Sequence, residues 1–312
     1  MYDITALGEI LIDFTMLDKN DEGTELFGRH PGGAPANVLA TVAKYGGKTA
    51  FIGKVGKDMF GEYLIKVLKD NNIDTSGVII DEIHNTTLAF VSLDDKGDRH
   101  FSFYRSFGAD VFIDESEIPC DMIKNSRIFH FGSLSLTNEP SKSATELALK
   151  TARENGKIIS YDPNYRELLW ENEQTAIDTI KEYIKYADII KLSKEEAEMI
   201  AGSVDNAIAM ITKMGVRIIL ITDGANGVTY SFKNIIGFVP AIKIKAVDTT
   251  GAGDIFFGTF LFEVIKNGGE IDKISVENVK NYIESAVKTS GLSTQKNGAI
   301  SSIPDYEEAQ NI

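Results

Sequence analysis

Apolar and polar residues follow two rhythms along this chain. Short apolar runs bounded by turn residues, Ile128–Phe131, Ile158–Asp162, Ile189–Leu192 and Arg217–Thr222, read as buried strands. Between and around them, Ser141–Asn155, Glu173–Tyr186, Lys194–Ala201 and Asp205–Met214 read as helices. Alternation of this kind argues for a parallel sheet covered by helices on both faces. The amino-terminal part is less regular. Residues 4–8, 10–14 and 50–55 read as strands. Pro35–Tyr45 and Gly61–Asn71 read as helices, with Val38, Leu39 and Val42 on one face of the first and Leu64, Val67 and Leu68 on one face of the second. Residues 18–30 are polar and read as irregular. Thr87–Leu93 and His100–Tyr104 read as two strands joined by a turn over Asp94–Asp98. The pieces at about 10–30 and 86–107 fall outside the alternation. They are expected to form a small inserted β-element, serving as a lid over a ligand or as an interaction surface.

Ligands of parallel sheets bind beyond the carboxyl ends of the strands. Those ends carry Gly132-Ser133, Asp162–Arg166, Ser193–Glu196 and Thr222–Gly227, where polar residues and glycines cluster. The most telling stretch is Asp248-Thr-Thr-Gly-Ala-Gly-Asp254. Gly251 and Gly253 stand just before the apolar run Ile255–Phe262, so a loop turns into a helix there. Free N–H groups and the helix dipole favour a phosphate at such a start. Asp254 would repel that phosphate, but it makes sense as the group that takes a proton from an attacking hydroxyl.

Other candidates each allow two readings. Gly32-Gly-Ala-Pro-Ala-Asn37 is a turn running into a helix, suited to close ligand approach or to a plain helix cap. Pro163 ends a strand, so Asn164 and Arg166 can project into the crevice. Arg105 ends the second inserted strand. Arginine makes planar multidentate bonds to hydroxyls or phosphate, and either arginine also suits a surface ion pair. Glu195 and Glu196 start a helix, where acidic residues suit the dipole; one could also hold Mg2+ through water. Thr222-Asp-Gly-Ala-Asn-Gly227 suits a tight turn or a nucleotide loop. Gly47-Lys48-Thr49 lacks the upstream glycine and the strand–loop–helix order of a P-loop. Phe256 stands where a dinucleotide fingerprint needs its third small residue. The histidines at 30, 84, 100 and 130 have no metal-like spacing, and His130 sits in an apolar strand as a core residue would.

The chain's 312 residues suffice for one large α/β domain or a domain with an insertion. A net charge of −14 argues against nucleic acid or an anionic membrane as partner. Cys120 is the single cysteine, so no intrachain disulfide forms. The first residues lack signal-peptide character, and no apolar run approaches the ~18 residues of a membrane span. A cytoplasmic protein is expected.

Taken in order, these pieces resemble the PfkB (ribokinase-like) carbohydrate kinases over essentially the whole chain. Gly32–Asn37 with Gly53-Lys-Val-Gly-Lys-Asp58 is similar to one family signature, and Asp248–Asp254 to the other. Gly8-Glu-Ile-Leu-Ile-Asp13, Ala89–Leu93, Phe101–Arg105 and Asp162–Trp170 most resemble fructokinases; the last stretch is shared with 2-keto-3-deoxygluconate kinases. The resemblance implies a single ribokinase-like domain over 1–312, a mostly parallel sheet flanked by helices with a small β-sheet lid. It implies transfer of the ATP γ-phosphate to a terminal hydroxyl of fructose. Asp254 would be the general base, and the amides of Gly251, Ala252 and Gly253 the anion hole. Asp13, Gly33, Asn37, Arg105, Asn164 and Arg166 would hold the sugar. Ser193, Thr222, Gly224 and Gly227 would lie along ATP, and Glu196 would organise Mg2+ through water. Ser193 departs from the asparagine of many relatives. A K+ site would lie between Asp248–Thr250 and the turn Ser293–Ser302, with carbonyls of Lys296 and Gly298. A homodimer through the lid is also implied. A sugar-acid kinase, and a non-catalytic sensor of sugar or nucleotide, are the competing readings.

Overall fold

The computed structural model describes residues 1–17, 19–93 and 99–312. Strands β1 (Tyr2–Leu7), β2 (Leu11–Met16), β3 (Phe27–Gly32), β4 (Thr49–Gly56), β5 (Ile73–Asp81), β6 (Leu88–Leu93) and β7 (Arg99–Tyr104) occupy the first third. They are followed by β8 (Ser126–Gly132), β9 (Ile158–Asp162), β10 (Ile189–Ser193), β11 (Ile218–Asp223), β12 (Gly227–Phe232) and β13 (Ile235–Pro240). Among the described residues, nine strands form one sheet in the order β13-β12-β11-β10-β9-β8-β1-β4-β5, and four form another in the order β3-β2-β6-β7. From β11 to β5 the large sheet is parallel; β12 and β13 add an antiparallel edge.

The helices are α1 (Ala34–Lys44), α2 (Met59–Asp70), α3 (Cys120–Lys124), α4 (Ser141–Glu154), α5 (Glu173–Ile184), α6 (Lys194–Ala201), α7 (Val204–Lys213), α8 (Ala252–Lys266), α9 (Val276–Ser293) and α10 (Tyr306–Gln310). They cover both faces of the large sheet, as the alternation predicts. On one face Ile4, Ile128, Ile189 and Ile218 pack with Val38 and Leu39 of α1, Phe257 and Phe260 of α8, and Ile283 of α9. On the other, Phe129, Phe131, Ile159 and Leu192 pack with Ala148 of α4, Ile180 of α5, Ala197 of α6 and Ile208 of α7. Strands buried on both faces explain the near-continuous apolar runs. Helices α1 and α8 come close because Gly258 lacks a side chain; a Cβ there would lie 2.7 Å from that of Thr41 and 2.9 Å from the Val38 carbonyl oxygen.

Three features depart from expectation. Within the stretch 18–30, read as irregular, residues 27–30 belong to β3 (Phe27–Gly32). It pairs only with β2 at the edge of the small sheet, so Pro31 and the polar residues are tolerated. The edge strand β5 carries Asp74, Thr75 and Ser76, which hid it among polar residues. The β12–β13 pair has no counterpart in the strand–helix reading. The expected turn at Asp94–Asp98 lies outside the described residues.

The small sheet is fastened at its root. Phe14 stacks on Phe90 at 5.0 Å and meets Phe60 of α2 edge-on at 5.7 Å. Asp58 caps α2 through the Phe60 and Gly61 amides and also accepts from the amide and hydroxyl of Thr86, each at 2.8 Å. Asp81 accepts from the amides of Ile83 and His84. Burial opposes the charge on both carboxylates, but these donors outweigh it and hold both below the usual range. No helix among the described residues is long and apolar enough to cross a membrane.

Candidate active site

The large sheet's carboxyl edge and the start of α8 bring most of the expected residues together. Gly251 precedes α8 with φ +73°, a left-handed conformation that suits glycine. A Cβ there would lie 2.4 Å from that of Ala299, so the turn has no room for a side chain. Ala252, Gly253 and Asp254 form the first helical turn, whose amides lack partners within the helix. Asp254 is buried. Its Oδ2 accepts from Nδ2 of Asn37 at 2.8 Å, and its Oδ1 from Nδ2 of Asn164 at 3.4 Å. Burial pushes its carboxyl above the ordinary range, against the Asn37 bond and the charges of Lys191 and Arg166. A carboxylate so placed is aimed, and it is a stronger proton acceptor than one in water.

Asp13 projects from β2 into the space left by Gly32; a Cβ there would lie 2.0 Å from Asp13 Oδ2. Burial pushes its carboxyl up to about 6, with Arg166 opposing and Asp254 adding. Among the described residues no hydrogen-bond donor reaches it, which leaves its oxygens for a ligand. Gly33 caps α1 with φ +115°, in a turn where a Cβ would lie 2.4 Å from the Glu9 carbonyl oxygen. Asn164 has φ +48° in the loop after β9, and exposed Arg166 donates to the Tyr165 carbonyl at 2.9 Å.

Arg105 differs from the exposed cation that sequence suggests. It is 4% exposed, and three of its N–H groups are engaged: Nε with Asp110 at 2.7 Å, the others with Thr137 Oγ1 at 2.9 Å and the Leu134 carbonyl at 2.8 Å. Asp110 also accepts from the Thr87 hydroxyl. Arg105 therefore ties the root of the small sheet to the segment after β8.

A cavity of about 310 Å³ opens beside these groups, lined by Asn164, Arg166, Lys191, Ser193, Glu195 and Glu196 among others. Ser193 and Glu196 form a reciprocal cap on α6: Ser193 Oγ accepts from the Glu196 amide at 3.1 Å, and Glu196 Oε2 accepts from the Ser193 amide at 2.7 Å. Glu196 Oε1 accepts from the Tyr165 amide at 2.6 Å. Burial raises the Glu196 carboxyl, with Lys191 opposing. Each of its oxygens keeps a lone pair that a water could use. Among the described residues no group of three His, Cys, Asp or Glu could cage a metal ion directly.

The segment Thr222–Gly227 is the β11–β12 hairpin, closed by the Asn226 amide on the Asp223 carbonyl at 2.8 Å. Gly224 has φ +45° and Gly227 φ +135°, and Thr222 Oγ1 donates to the Leu192 carbonyl at 3.3 Å. Farther along, Asp248 joins two loops. Its Oδ1 accepts from the amide and hydroxyl of Thr250, and its Oδ2 from the Gly298 amide at 2.8 Å. The Lys296 amide donates to the Ser293 carbonyl, and Ser302 closes on Ala299. Hydroxyls, carbonyls and one carboxylate make this an oxygen-rich corner, the donor chemistry of a hard cation.

Residues 1–306 match the model of the pfkB family carbohydrate kinases. The chain belongs to this family. It is 39% identical to fructokinase-1 of Zea mays over 317 residues, 99% of this chain and 97% of that one. Its fold superposes on the fructokinase of Xylella fastidiosa with bound ATP at a TM-score of 0.92, with 30% identity, covering 99% of this chain and 97% of that chain. A double mutant of the Vibrio cholerae fructokinase, bound to fructose, ADP and potassium ion, gives 0.89 at 28% identity, covering 100% of this chain and 98% of that chain. The chain is a fructokinase-like carbohydrate kinase with the ribokinase-like fold.

In this family member, sequence reasoning missed two buried groups. Lys191 on β10 pairs with Asp162 at the end of β9, Nζ to Oδ2 at 3.0 Å, both nearly out of water. Burial works against the ammonium, but Asp162, Glu196 and Asp254 outweigh it and raise its pKa. Glu9, after β1, accepts from the Ala34 amide at 3.0 Å, and burial pushes its carboxyl up to about 7. The signal for Lys191 was present: a lysine inside an apolar strand needs a buried partner.

Proposed function

We propose that the protein transfers the γ-phosphate of ATP to a terminal hydroxyl of fructose. The observation that carries this reading is the aim of Asp254: α1, the loop after β9 and the α8 turn converge on one buried carboxylate beside helix-start amides. Of these, the amide of Ala252 rests on the Thr249 carbonyl at 3.2 Å, while those of Gly251 and Gly253 have no acceptor among the described residues. The hydroxyl oxygen forms a bond to the γ-phosphorus while the bond from that phosphorus to the β–γ bridging oxygen breaks. The hydroxyl proton passes to Asp254, and the electron pair leaves with ADP. Transfer of this kind relies on positioning and on stabilising charge. The amides of Gly251, Ala252 and Gly253 form the anion hole for the phosphoryl oxygens.

Asp13, Gly33, Asn37, Asn164 and Arg166 bind the sugar hydroxyls, and the two unspent N–H groups of Arg105 face the same task. Arg105 is largely engaged with protein acceptors, whereas Arg166 meets only backbone carbonyls among the described residues, so Arg166 is the cation on which the choice between a neutral sugar and a sugar acid turns. Ser193, Thr222, Gly224 and Gly227 lie along ATP. Glu196 would hold Mg2+ through a water, and the ion would supply charge neutralisation at the phosphates. The corner formed by Asp248, Thr250, Ser293, Lys296, Gly298 and Ser302 would hold K+ through its oxygens. The small sheet acts as a lid over the sugar, excluding water from the phosphate. Exposed Phe27 and Tyr104 on that sheet fit a homodimer contact, and the work is done in the cytoplasm.

A coupled assay across fructose, ribose, 2-keto-3-deoxygluconate and adenosine tests the reading. Fructose should give the highest kcat/KM; a higher value for any of the others would replace it as substrate.

A further inference from the structure

Lys191 lies in a strand buried on both faces, where a charge is costly unless it is paired. Its neighbours Ile190 and Leu192 pack on one face of the sheet, while Ile189 packs on the other, toward α8. Alternation along β10 puts Lys191 on the α8 side. Its ammonium reaches the underside of the anion turn: a Cβ on Gly253 would lie 3.2 Å from Nζ and 3.7 Å from Cε. Gly253 has an ordinary helical conformation, so what it supplies is room for this cation.

The ammonium carries three N–H donors, and its one acceptor among the described residues is the Asp162 carboxylate, at 3.0 and 3.3 Å. It also lines the cavity that holds Arg166 and Glu196. Arg105, the other buried cation described above, has three of its five N–H groups on three separate protein acceptors, its carboxylate partner taking only one of them. Lys191 keeps donors in reserve against the place where phosphate charge collects. Asp162 fixes its position, so little reorganisation is needed when that charge arrives.

We propose that Lys191 is a catalytic residue whose ammonium, held by Asp162 beneath Gly253, contacts the oxygens of the transferring phosphoryl group. The assignment rests on the phosphoryl-transfer reading given above. Lys191 neither accepts the proton nor forms a bond to phosphorus. It adds positive charge on the side of the phosphoryl group facing the sheet, as the phosphorus–bridging oxygen bond breaks and the bond to the hydroxyl oxygen forms.

Lys191→Met alone leaves Asp162 buried and unpaired, and the protein can fail to fold. The informative protein is therefore the double variant Lys191→Met with Asp162→Asn, compared with Asp162→Asn alone and checked for folding by thermal melting. Two readouts are needed. In turnover with fructose, the double variant should lose about 10²–10³-fold in kcat, the usual loss for one preorganised donor, while Asp162→Asn alone loses much less. In calorimetry without sugar, the probes are Mg-ADP and the Mg complex of the β,γ-imido analogue of ATP. The wild type should bind the analogue more tightly relative to ADP than the double variant does, by about tenfold, the value of one charge-assisted contact.

A double variant that turns over within about threefold of the single variant would make the pair structural only and overturn the assignment. Unchanged discrimination between the two nucleotides would overturn it equally. If the wild type phosphorylates no sugar in the panel yet discriminates by γ-phosphate through Lys191, the fructose reading fails and the Lys191 contact stands.

Discussion

Two sets of carboxylates divide the molecule. At the root of the small sheet, Asp58 and Asp81 are held below the usual range by numerous donors; Asp58 accepts from the amides of Phe60, Gly61 and Thr86 and from the Thr86 hydroxyl. Around the carboxyl edge of the large sheet, Asp162, Glu196 and Asp254, with Asp13 on β2 of the small sheet, are pushed the other way by burial that few donors offset. The second set is more deeply buried than the first and has fewer donors, so burial and hydrogen bonding push the two sets apart together. Where the protein completes a carboxylate's hydrogen bonds, the group fastens structure; where it leaves them incomplete, the group waits for a ligand or a proton.

The largest effect should come from the second set. Asp254→Asn should lose about 10²–10⁴-fold in kcat, with no fall in melting temperature, since an amide in that dry site removes a strained charge. Near-normal turnover would dissolve the distinction at its centre. Next is the fastening set. Arg105→Met leaves Asp110 buried without its cation and should cost about 3–5 kcal/mol in denaturant unfolding, the scale for a broken buried pair. A loss below about 1 kcal/mol would show that the pair fastens nothing.

The smallest and most discriminating test is pH. Asp58 has a depressed pKa, so its contribution is present above its unfolded value and lost as pH falls through that value toward the folded one. Asp58→Ala should therefore cost about 1–2 kcal/mol at pH 7.5, and the difference from wild type should shrink below pH 4. Asp13 stands at about 6, above its unfolded value of ~3.9, so wild-type stability from this group is present at low pH and declines as pH rises toward and through 6. Asp13→Asn should match wild type near pH 4 and exceed it by about 1–2 kcal/mol at pH 7.5, while its KM for fructose rises. Parallel pH curves for the two variants would erase the contrast.

How much of this was legible depends on where each chemical signal sits. The α8 start could be read because Gly251, Gly253 and Asp254 adjoin a long apolar run, so turn, helix and acid are neighbours in sequence. The alternation after residue 126 gave the parallel sheet because strands buried on two faces are apolar throughout. Edge strands carry no such mark: β3 includes Pro31, and β5 includes three consecutive polar residues. Lys191 passed unnoticed because its partner Asp162 lies 29 residues away and meets it only across adjacent parallel strands. The engagement of Arg105 was hidden for a related reason: its acceptors Thr137 and Leu134 come from a different segment, and no local pattern announces them.

Gly258 stands one helical turn beyond Asp254, and its missing side chain lets α8 rest on α1 at Thr41. Asn37, the group that aims Asp254, rides on that same α1. The 2.8 Å contact between Asn37 and Asp254 is thus levelled at a bearing surface elsewhere. A lineage that drifts to a larger residue at 258 would tilt one helix against the other and misalign the acceptor without touching a ligand. Such a change would look, to anyone inspecting only the cleft, like a fault with no source.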